Sequence, residues 1–278
     1  MRKGRNGMLP TVVILALLAV GLVPALAGEG ETADRNWSDK AELSLVTTTG
    51  NSETTTFSLS NEFVQNWTKS ELKIFALALR SEQTTKNAVN DAGSLRVTDT
   101  KQTTAEVYRL SGKFLREIRK NFRWYAEGGW ERDRPQGIDD RYFAGLGAAF
   151  AVLHRNAHTL DAEVGVRFTD ETPVGGDSDS FGVGRAALAW GWKFSETGEL
   201  SSTLEVLQNL STSDDTRANW VTAVTSTLTD KLALKVSYTV RWDNDPVREV
   251  LTSPGFDDVI WEHDKTDTIL AASLVINF

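Results

Sequence analysis

The chain has 278 residues, with 30 Lys and Arg against 38 Asp and Glu, 40% hydrophobic residues, no cysteine and a mean hydropathy of −0.28. This composition excludes a bundle of transmembrane helices, which needs several apolar stretches of about 20 residues. The absence of cysteine excludes disulfides, thiolate metal sites and cysteine nucleophiles. The net charge of −8 argues against nucleic acid, whose binding proteins usually present a basic face. A membrane β-barrel is not excluded, because its alternating apolar and polar residues keep the mean hydropathy low.

The first 27 residues have the layout of a secretory signal peptide. Basic residues precede the apolar run 11–23, and the small-x-small sequence Ala25-Leu26-Ala27 follows it. The alternative is an uncleaved anchor helix, which is disfavoured because the run is short and Pro24 interrupts it. We therefore expect cleavage after residue 27, export across a bacterial inner membrane, and a mature domain over residues 28–278.

The mature chain alternates between apolar and polar residues almost throughout, as in 232–242 and 160–168. This period of two is typical of strands with one apolar and one polar face. Most of the segments exceed ten residues, which is long for a globular strand and suits a tilted strand that crosses a bilayer. The predicted strands cover 36–48, 53–67, 71–83, 102–114, 121–133, 140–153, 158–170, 181–194, 199–211, 217–229, 231–243 and 265–278. The pattern predicts an all-β, transmembrane, antiparallel, up-and-down barrel of about 12 strands.

Connections, prolines and aromatic residues support this prediction. Long polar loops are expected at 84–101, 170–180 and 244–264, and short turns join the other strand ends. Such asymmetry is typical of outer-membrane barrels, with both termini on the periplasmic side. All four prolines beyond the signal segment fall in predicted outer loops, and aromatic residues cluster near both strand ends, as interfacial girdles do. A soluble β-sandwich, the alternative, would not need aromatics sorted in this way.

The polar face of the strands should line the lumen. It carries equal numbers of basic and acidic residues, and two interpretations stay open: interior ion pairs that fill a narrow barrel, or a narrow aqueous channel with separated basic and acidic walls. The predicted lumen residues are Arg123, Glu127, Glu131, Asp133, Arg141, Asp161, Glu163, Arg167, Arg185, Lys193, Glu205, Lys235, Arg241, Asp243, Lys265 and Asp267.

Glycines 128, 129, 145, 147 and 165 fall on three consecutive predicted strands. Glycine within a strand often marks a bend or the close approach of another group. The cluster predicts a flattened wall, or room for an inward-folded loop, or only the curvature that closes a small barrel.

The sequence predicts no catalytic residue, cofactor or metal site. His154 and His158 flank a predicted periplasmic turn, and His263 is isolated in the last outer loop, so no histidine is placed to activate a nucleophile. The outer loops are acidic, and we expect them to be solvated. The alternative is that they bind divalent cations that bridge to lipopolysaccharide phosphates.

The C-terminal strand alternates from Leu270 to a terminal Phe278, which resembles the segment that outer-membrane barrels present to their insertion machinery. Motifs spread along the chain resemble the YdiY-like salt-induced outer-membrane protein family, domain of unknown function 481. They are Thr49-Gly50-Asn51-Ser52, Glu131-Arg132-Asp133, Gly137-Ile138-Asp139-Asp140-Arg141-Tyr142 with Gly145 and Gly147, Asn244-Asp245-Pro246 and Lys265-Thr266-Asp267-Thr268. The resemblance implies an outer-membrane β-barrel and supplies no catalytic residues.

We therefore expect a Gram-negative outer-membrane protein, a small porin-like channel for ions or small solutes. The alternative is a non-conducting barrel with an envelope-structural or salt-stress role, and a minor one is an outer-membrane enzyme or receptor. The expected partners are the lipid bilayer, lipopolysaccharide and the barrel-insertion machinery, without nucleic acid.

Overall fold

A computed structural model describes residues 36–48, 53–91, 94–246, 248–251, 259–262 and 264–278. The predicted signal peptide, His263 and Pro254 lie outside these ranges. No helix among the described residues is long and apolar enough to cross a membrane.

Twelve of the described strands close into one antiparallel barrel in which neighbours in sequence are neighbours in space. Closure comes from the first and last strands, which pair from Lys40 with Asn277 to Leu43 with Leu274. The strands are β1 (Trp37–Thr48), β2 (Glu53–Asn66), β3 (Ser70–Asp91), β4 (Ser94–Arg119), β5 (Phe122–Asp133), β6 (Ile138–Arg155), β7 (His158–Pro173), β8 (Asp179–Lys193), β9 (Gly198–Asn209), β10 (Thr216–Thr229) and β11 (Leu232–Asp243), a separate pair β12 (Arg248–Leu251) and β13 (Val259–Glu262), and β14 (Thr266–Asn277). The predicted twelve-stranded all-β barrel is confirmed.

The two ends of the barrel differ. The end where β1 begins and β14 ends, here the terminal end, carries the tight turns. Two of these turns place Asn121 and Asn156 at φ of 65° and 40°, a left-handed conformation that asparagine tolerates better than most residues. The opposite end, here the loop end, carries the longer connections.

Three predicted loops are partly strand. Residues 84–101 were expected to form a polar loop, but β3 and β4 stay paired as far as Asp91 and Ser94. Residues 244–264 contain the β12–β13 pair, and β7 continues through the expected loop start to Pro173. The expectation that all the prolines lie in loops is therefore wrong for Pro173. This proline is the last residue of its strand, where the loss of an N–H donor costs least.

The outer face of the barrel is apolar. Large side chains stay exposed on alternate positions of neighbouring strands, for example Leu146 on β6, Val166 and Phe168 on β7 and Leu270 on β14. At the terminal end Trp192 packs on Phe194, with ring centroids 5.6 Å apart. A continuous apolar belt of this kind needs a lipid environment.

The charged lumen as candidate functional site

The inner faces of β4 to β10 form a charged wall in which opposite charges meet in register. The β-ladders place Arg109 on β4 opposite Glu131 on β5, Glu131 opposite Arg141 on β6, and Arg141 opposite Glu171 on β7. Arg109 Nε lies 2.8 Å from Glu131 Oε2, and Arg141 Nε donates to Glu171 Oε2 at 2.7 Å. Directly opposed unlike charges stabilise a sheet, so this row ties four strands together.

A second tier lies closer to the terminal end. Arg167 Nε donates to Glu127 Oε1 at 2.6 Å, and Arg185 Nη1 donates to Glu163 Oε2 at 2.7 Å. Lys113 on β4 donates to the same Glu163 at 2.6 Å. Each carboxylate in this tier contacts more than one cation. Glu205, for example, accepts from Arg167 at 3.1 Å and also forms an ion pair with Arg185. The tier is an interlocked network rather than a set of separate pairs.

Glycine makes this tier possible. A Cβ on Gly145 would stand 2.8 Å from Arg167 Cγ, so the arginine crosses the glycine to reach its carboxylate. Tyr125 lies across Gly147 and Gly165 in the same way, and its hydroxyl accepts from Arg185 Nη1 at 3.2 Å. A Cβ on Gly147 would stand 2.3 Å from the tyrosine ring. These contacts fit the flattened-wall interpretation of the glycines, with side chains rather than a loop lying on the wall.

One ion pair crosses the lumen. Arg241 Nη1 on β11 donates to Asp133 Oδ2 on β5 at 2.6 Å. These two strands are six positions apart in the order of twelve, and so belong to opposite walls of the barrel. Near the loop end, Arg217 on β10 also reaches three strands away, to Glu171 at 2.8 Å. The lumen is therefore bridged near its loop end.

The inner faces of β14, β1 and β2 form a contrasting small-residue wall. Alternation places short side chains there, including Ser44, Ser58, Ser60 and Ser273, because Leu43, Phe57 and Leu274 point outward and are exposed. Its ion pair of Lys235 with Glu42, at 2.7 Å, spans β14. These short side chains extend less far into the lumen than the long side chains of the charged wall.

A cavity of about 290 Å³ lies inside the barrel against the charged wall. Its charged lining residues are Arg109, Lys113, Glu127, Glu131, Arg141, Arg167, Arg185, Glu205, Asp215, Arg217, Arg241 and Asp243. Phe75, Phe143 and Phe181 complete it with apolar surface. The cavity thus joins both tiers and the bridge across the lumen.

The family model described as "Protein of unknown function, DUF481" matches residues 41–278. The chain belongs to this family. The resemblance expected from the sequence motifs is thereby confirmed. A comparison with curated proteins finds no significant match.

Several solved structures are similar to this DUF481 protein in fold. An outer membrane channel from Pseudomonas putida F1 has 14% identity and a TM-score of 0.47, covering 90% of this chain and 98% of its own. The translocator domain of the autotransporter NalP from Neisseria meningitidis has 12% identity and a TM-score of 0.45, with coverages of 96% and 97%. An anion-selective porin from Comamonas acidovorans has 7% identity and a TM-score of 0.40, with coverages of 87% and 98%.

The structure places most of the predicted lumen residues in the two tiers, the bridge or the small-residue wall. These are Glu127, Glu131, Asp133, Arg141, Glu163, Arg167, Arg185, Glu205, Lys235 and Arg241. Arg123 and Asp161 lie apart near the terminal end, 4.0 Å from each other, and Lys193 stands opposite Glu199 in the β8–β9 register. Asp267 is exposed and pairs in register with Arg241, Asp243 lies 3.3 Å from Arg217, and Lys265 donates to the Asn244 carbonyl at 2.8 Å.

Of the two interpretations of the lumen charges, interior ion pairs agree with the described residues and separated basic and acidic walls do not. Charge alternates from strand to strand, with Arg109 and Lys113 on β4, carboxylates on β5 and Arg141 on β6. The reason is local: most of these cations are held by a carboxylate on an adjacent or nearby strand, which a segregated arrangement would forbid, and Arg241 pairs across the lumen with Asp133.

Sequence reasoning missed several members of the charged wall. The inward face of β4 holds Arg109 and Lys113 together with buried Val107 and Leu115, so neither face of that strand looks polar. Glu171 and Asp215 fell in predicted loops, although both contact Arg217. The i, i+4 spacing of Arg109 and Lys113, in phase with Ser111, is the signal that could have identified the inner face of β4.

The described histidines have structural contacts. His154 Nε2 lies 3.1 Å from Asp161 Oδ1, and the His158 ring stacks on Trp190 and Trp192 at centroid distances of 6.1 and 5.8 Å. Within the described ranges, no group of three or more His, Cys, Asp or Glu side chains is arranged to hold a metal ion.

Proposed function

We propose that this DUF481 protein is an outer-membrane channel that conducts small ions and solutes through its lumen. The observation that carries the proposal is the cavity of about 290 Å³ inside a closed barrel, lined by charged side chains. Charged groups inside a membrane protein are tolerated where partners and water solvate them, and such linings mark ion pathways.

The proposed location follows from the two surfaces of the barrel. The apolar outer face requires lipid, and only a closed barrel lets strands satisfy their backbone hydrogen bonds there. The terminal end would face the periplasm and the loop end would face lipopolysaccharide. Phe278, half exposed and joined to β1 by its N–H bond to the Asp39 carbonyl at 3.0 Å, would be the residue that the insertion machinery recognises.

The size of the barrel supports a narrow pore rather than a wide one. Eight-stranded barrels are just wide enough to be filled by their own side chains, whereas barrels of 16–18 strands leave an aqueous channel. Twelve strands lie between these cases. The charged wall takes up part of the interior, and water and small ions would pass through the cavity beside it and along the shorter side chains of the small-residue wall.

The experiment is electrical recording of the folded protein in planar lipid bilayers. We expect discrete conductance steps in a simple chloride salt, smaller than those of a wide porin because the lumen is bridged at Arg241 and Asp133. Detergent alone and heat-unfolded protein are the controls. Folded protein that inserts but gives a silent bilayer would overturn the proposal.

The second candidate is a non-conducting barrel with an envelope-structural or stress-response role. The interlocked ion pairs of the charged wall favour it, because they would stiffen a barrel whether or not ions pass. A silent but folded and inserted barrel is the outcome that would select it. We also propose that the protein has no catalytic activity, since the two described histidines contact an aspartate and tryptophans rather than a candidate nucleophile.

A further inference from the structure

Near the loop end, three arginines of the lumen are each more exposed than a carboxylate that holds them. Arg141, at 9%, is as buried as its partners, and Asp243, at 27%, is more exposed than Arg217. The Arg109 side chain is 30% exposed and its partner Glu131 is 11% exposed. For Arg217 and Glu171 the exposed fractions are 23% and 10%. Asp133 is nearly fully buried beneath Arg241, with exposed fractions of 2% and 14%. The guanidinium groups therefore cover their carboxylates.

The lining of the cavity shows the same order. Arg109, Arg217 and Arg241 all line it, whereas Glu171 and Asp133 do not. The carboxylates that do reach it near the loop end, besides the more buried Glu131, are Asp215 and Asp243, and both are ion-paired with Arg217. Arg241 therefore presents charge to the cavity that its partner Asp133 balances from outside the cavity lining, whereas Glu131, the partner of Arg109, lines the cavity beside it.

In the second tier Arg185 has the opposite order, whereas Arg167 keeps the order of the loop end, at 12% exposed against 5% for its partner Glu127. Arg185 is 8% exposed, and its partners Glu163 and Glu205 are 19% and 23% exposed. An anion that enters from the loop end would meet the guanidinium groups of Arg109, Arg217 and Arg241 before it reaches the second tier.

We infer that the loop-end part of this cavity binds a compact multivalent oxyanion, a small solute with several carboxylate or phosphate groups. The inference deepens the proposed channel function by naming a solute class, and it rests on that function only for the block of current described below. Guanidinium carries five N–H donors in a planar fork that matches carboxylate and phosphate oxygens. The ion pair of Arg241 with Asp133 uses Nη1 of that fork. Several arginines around one cavity supply the N–H donors that such an anion requires.

The first test is calorimetric titration of the folded protein in detergent micelles with citrate as the probe. Citrate should bind, and spermidine, a multivalent cation, should bind far more weakly. Arg109→Gln should weaken citrate binding by about tenfold, as expected for one charge-assisted contact. Because Arg241→Gln alone would strand Asp133, the second variant is the charge-neutral pair Arg241→Gln with Asp133→Asn, and it should lose a similar factor.

The matched control is Arg132→Gln. Arg132 lies near the same end of the barrel but on the outer face, where its Nη2 donates to Asp140 Oδ2 at 2.9 Å. This variant should bind citrate as the unchanged protein does. Circular dichroism verifies that every variant keeps its β-sheet signal.

The second test uses the sidedness of the lumen. In a planar bilayer, citrate added on the loop-end side should reduce the current at a lower concentration than citrate added on the terminal side. A channel that conducts while citrate neither binds nor blocks it would overturn this inference and leave the channel proposal intact. Citrate binding by a silent barrel would overturn the channel proposal and leave the binding site intact. Equal citrate affinity in all variants, or tighter binding of spermidine than of citrate, would overturn the site.

Discussion

The charged wall and the small-residue wall belong to one barrel and have the same strand geometry, yet they use their inner faces differently. On β4 to β10, long side chains lie flat over glycines and meet opposite charges on neighbouring strands. On β14, β1 and β2, serines leave the inner face shallow. Two sides of one closed barrel can therefore differ in how far their side chains extend into the lumen.

The two walls should therefore respond differently to substitution. Removing one member of a buried ion pair leaves its partner uncompensated and costs about 3–5 kcal/mol. A serine of the small-residue wall carries no charge, so its substitution leaves no charged partner behind. The charged wall should thus govern the free energy of unfolding, and the small-residue wall should govern the current.

The largest effect is expected from Arg185→Met. Arg185 contacts Glu163, Glu205 and Glu127, and its loss leaves these carboxylates crowded in the second tier. We expect the free energy of unfolding to fall by about 3–5 kcal/mol, measured by urea titration of tryptophan fluorescence in lipid vesicles. Adding Glu205→Gln to the same chain should recover part of the loss. A loss below about 1 kcal/mol would mean that the network contributes little to stability.

The next effect is expected from Gly147→Ala. The new Cβ would stand 2.3 Å from the Tyr125 ring, so the ring must leave its place over β6 and β7 and give up Arg185. Overpacking of this kind costs about 1–3 kcal/mol in the free energy of unfolding. Gly112→Ala is the matched control, because a Cβ there meets nothing within 4 Å. Equal effects from both glycines would show that close packing of Tyr125 is not the cause.

The strands of the barrel could largely be predicted from the sequence, because a lipid environment requires apolar side chains on one face of each strand. The bounds of β5 and β9, predicted as 121–133 and 199–211, differ by at most two residues from the observed Phe122–Asp133 and Gly198–Asn209. The extension of β3 and β4 beyond the predicted ends could not be predicted, because the prediction depends on apolar alternation. Residues 84–101 contain few apolar residues, so the sequence alternation is weak while backbone pairing continues.

The pairing of the lumen charges could not be predicted in this way. Alternation assigns a residue to a face, but it does not say which residues of distant strands come together. Asp133 and Arg241 are 108 residues apart and meet only because the barrel closes and its walls approach. The flat course of Tyr125 likewise depends on the register that brings Gly147 and Gly165 beside it.

A smaller effect is expected from Lys235→Gln. This lysine forms the ion pair with Glu42 on the small-residue wall, and both side chains are about one quarter exposed. Solvent screens such a pair, so its loss should change the free energy of unfolding by no more than about 1 kcal/mol. The same urea titration in vesicles measures it. A loss as large as that of Arg185→Met would remove the distinction between the two walls.

The smallest change in stability, with the clearest change in current, is expected from Ser58→Phe. Ser58 lies on the inner face of β2, opposite Ser44 on β1 and Leu79 on β3. The new ring would occupy lumen that the serine leaves open, so single-channel conductance should fall by about half while the free energy of unfolding stays within about 0.5 kcal/mol. Leu59→Phe, one position along and on the outer face, is the control and should leave the conductance unchanged. If Ser58→Phe leaves the conductance unchanged in an active channel, ions pass along the charged wall instead, and the assignment of the two walls must be exchanged.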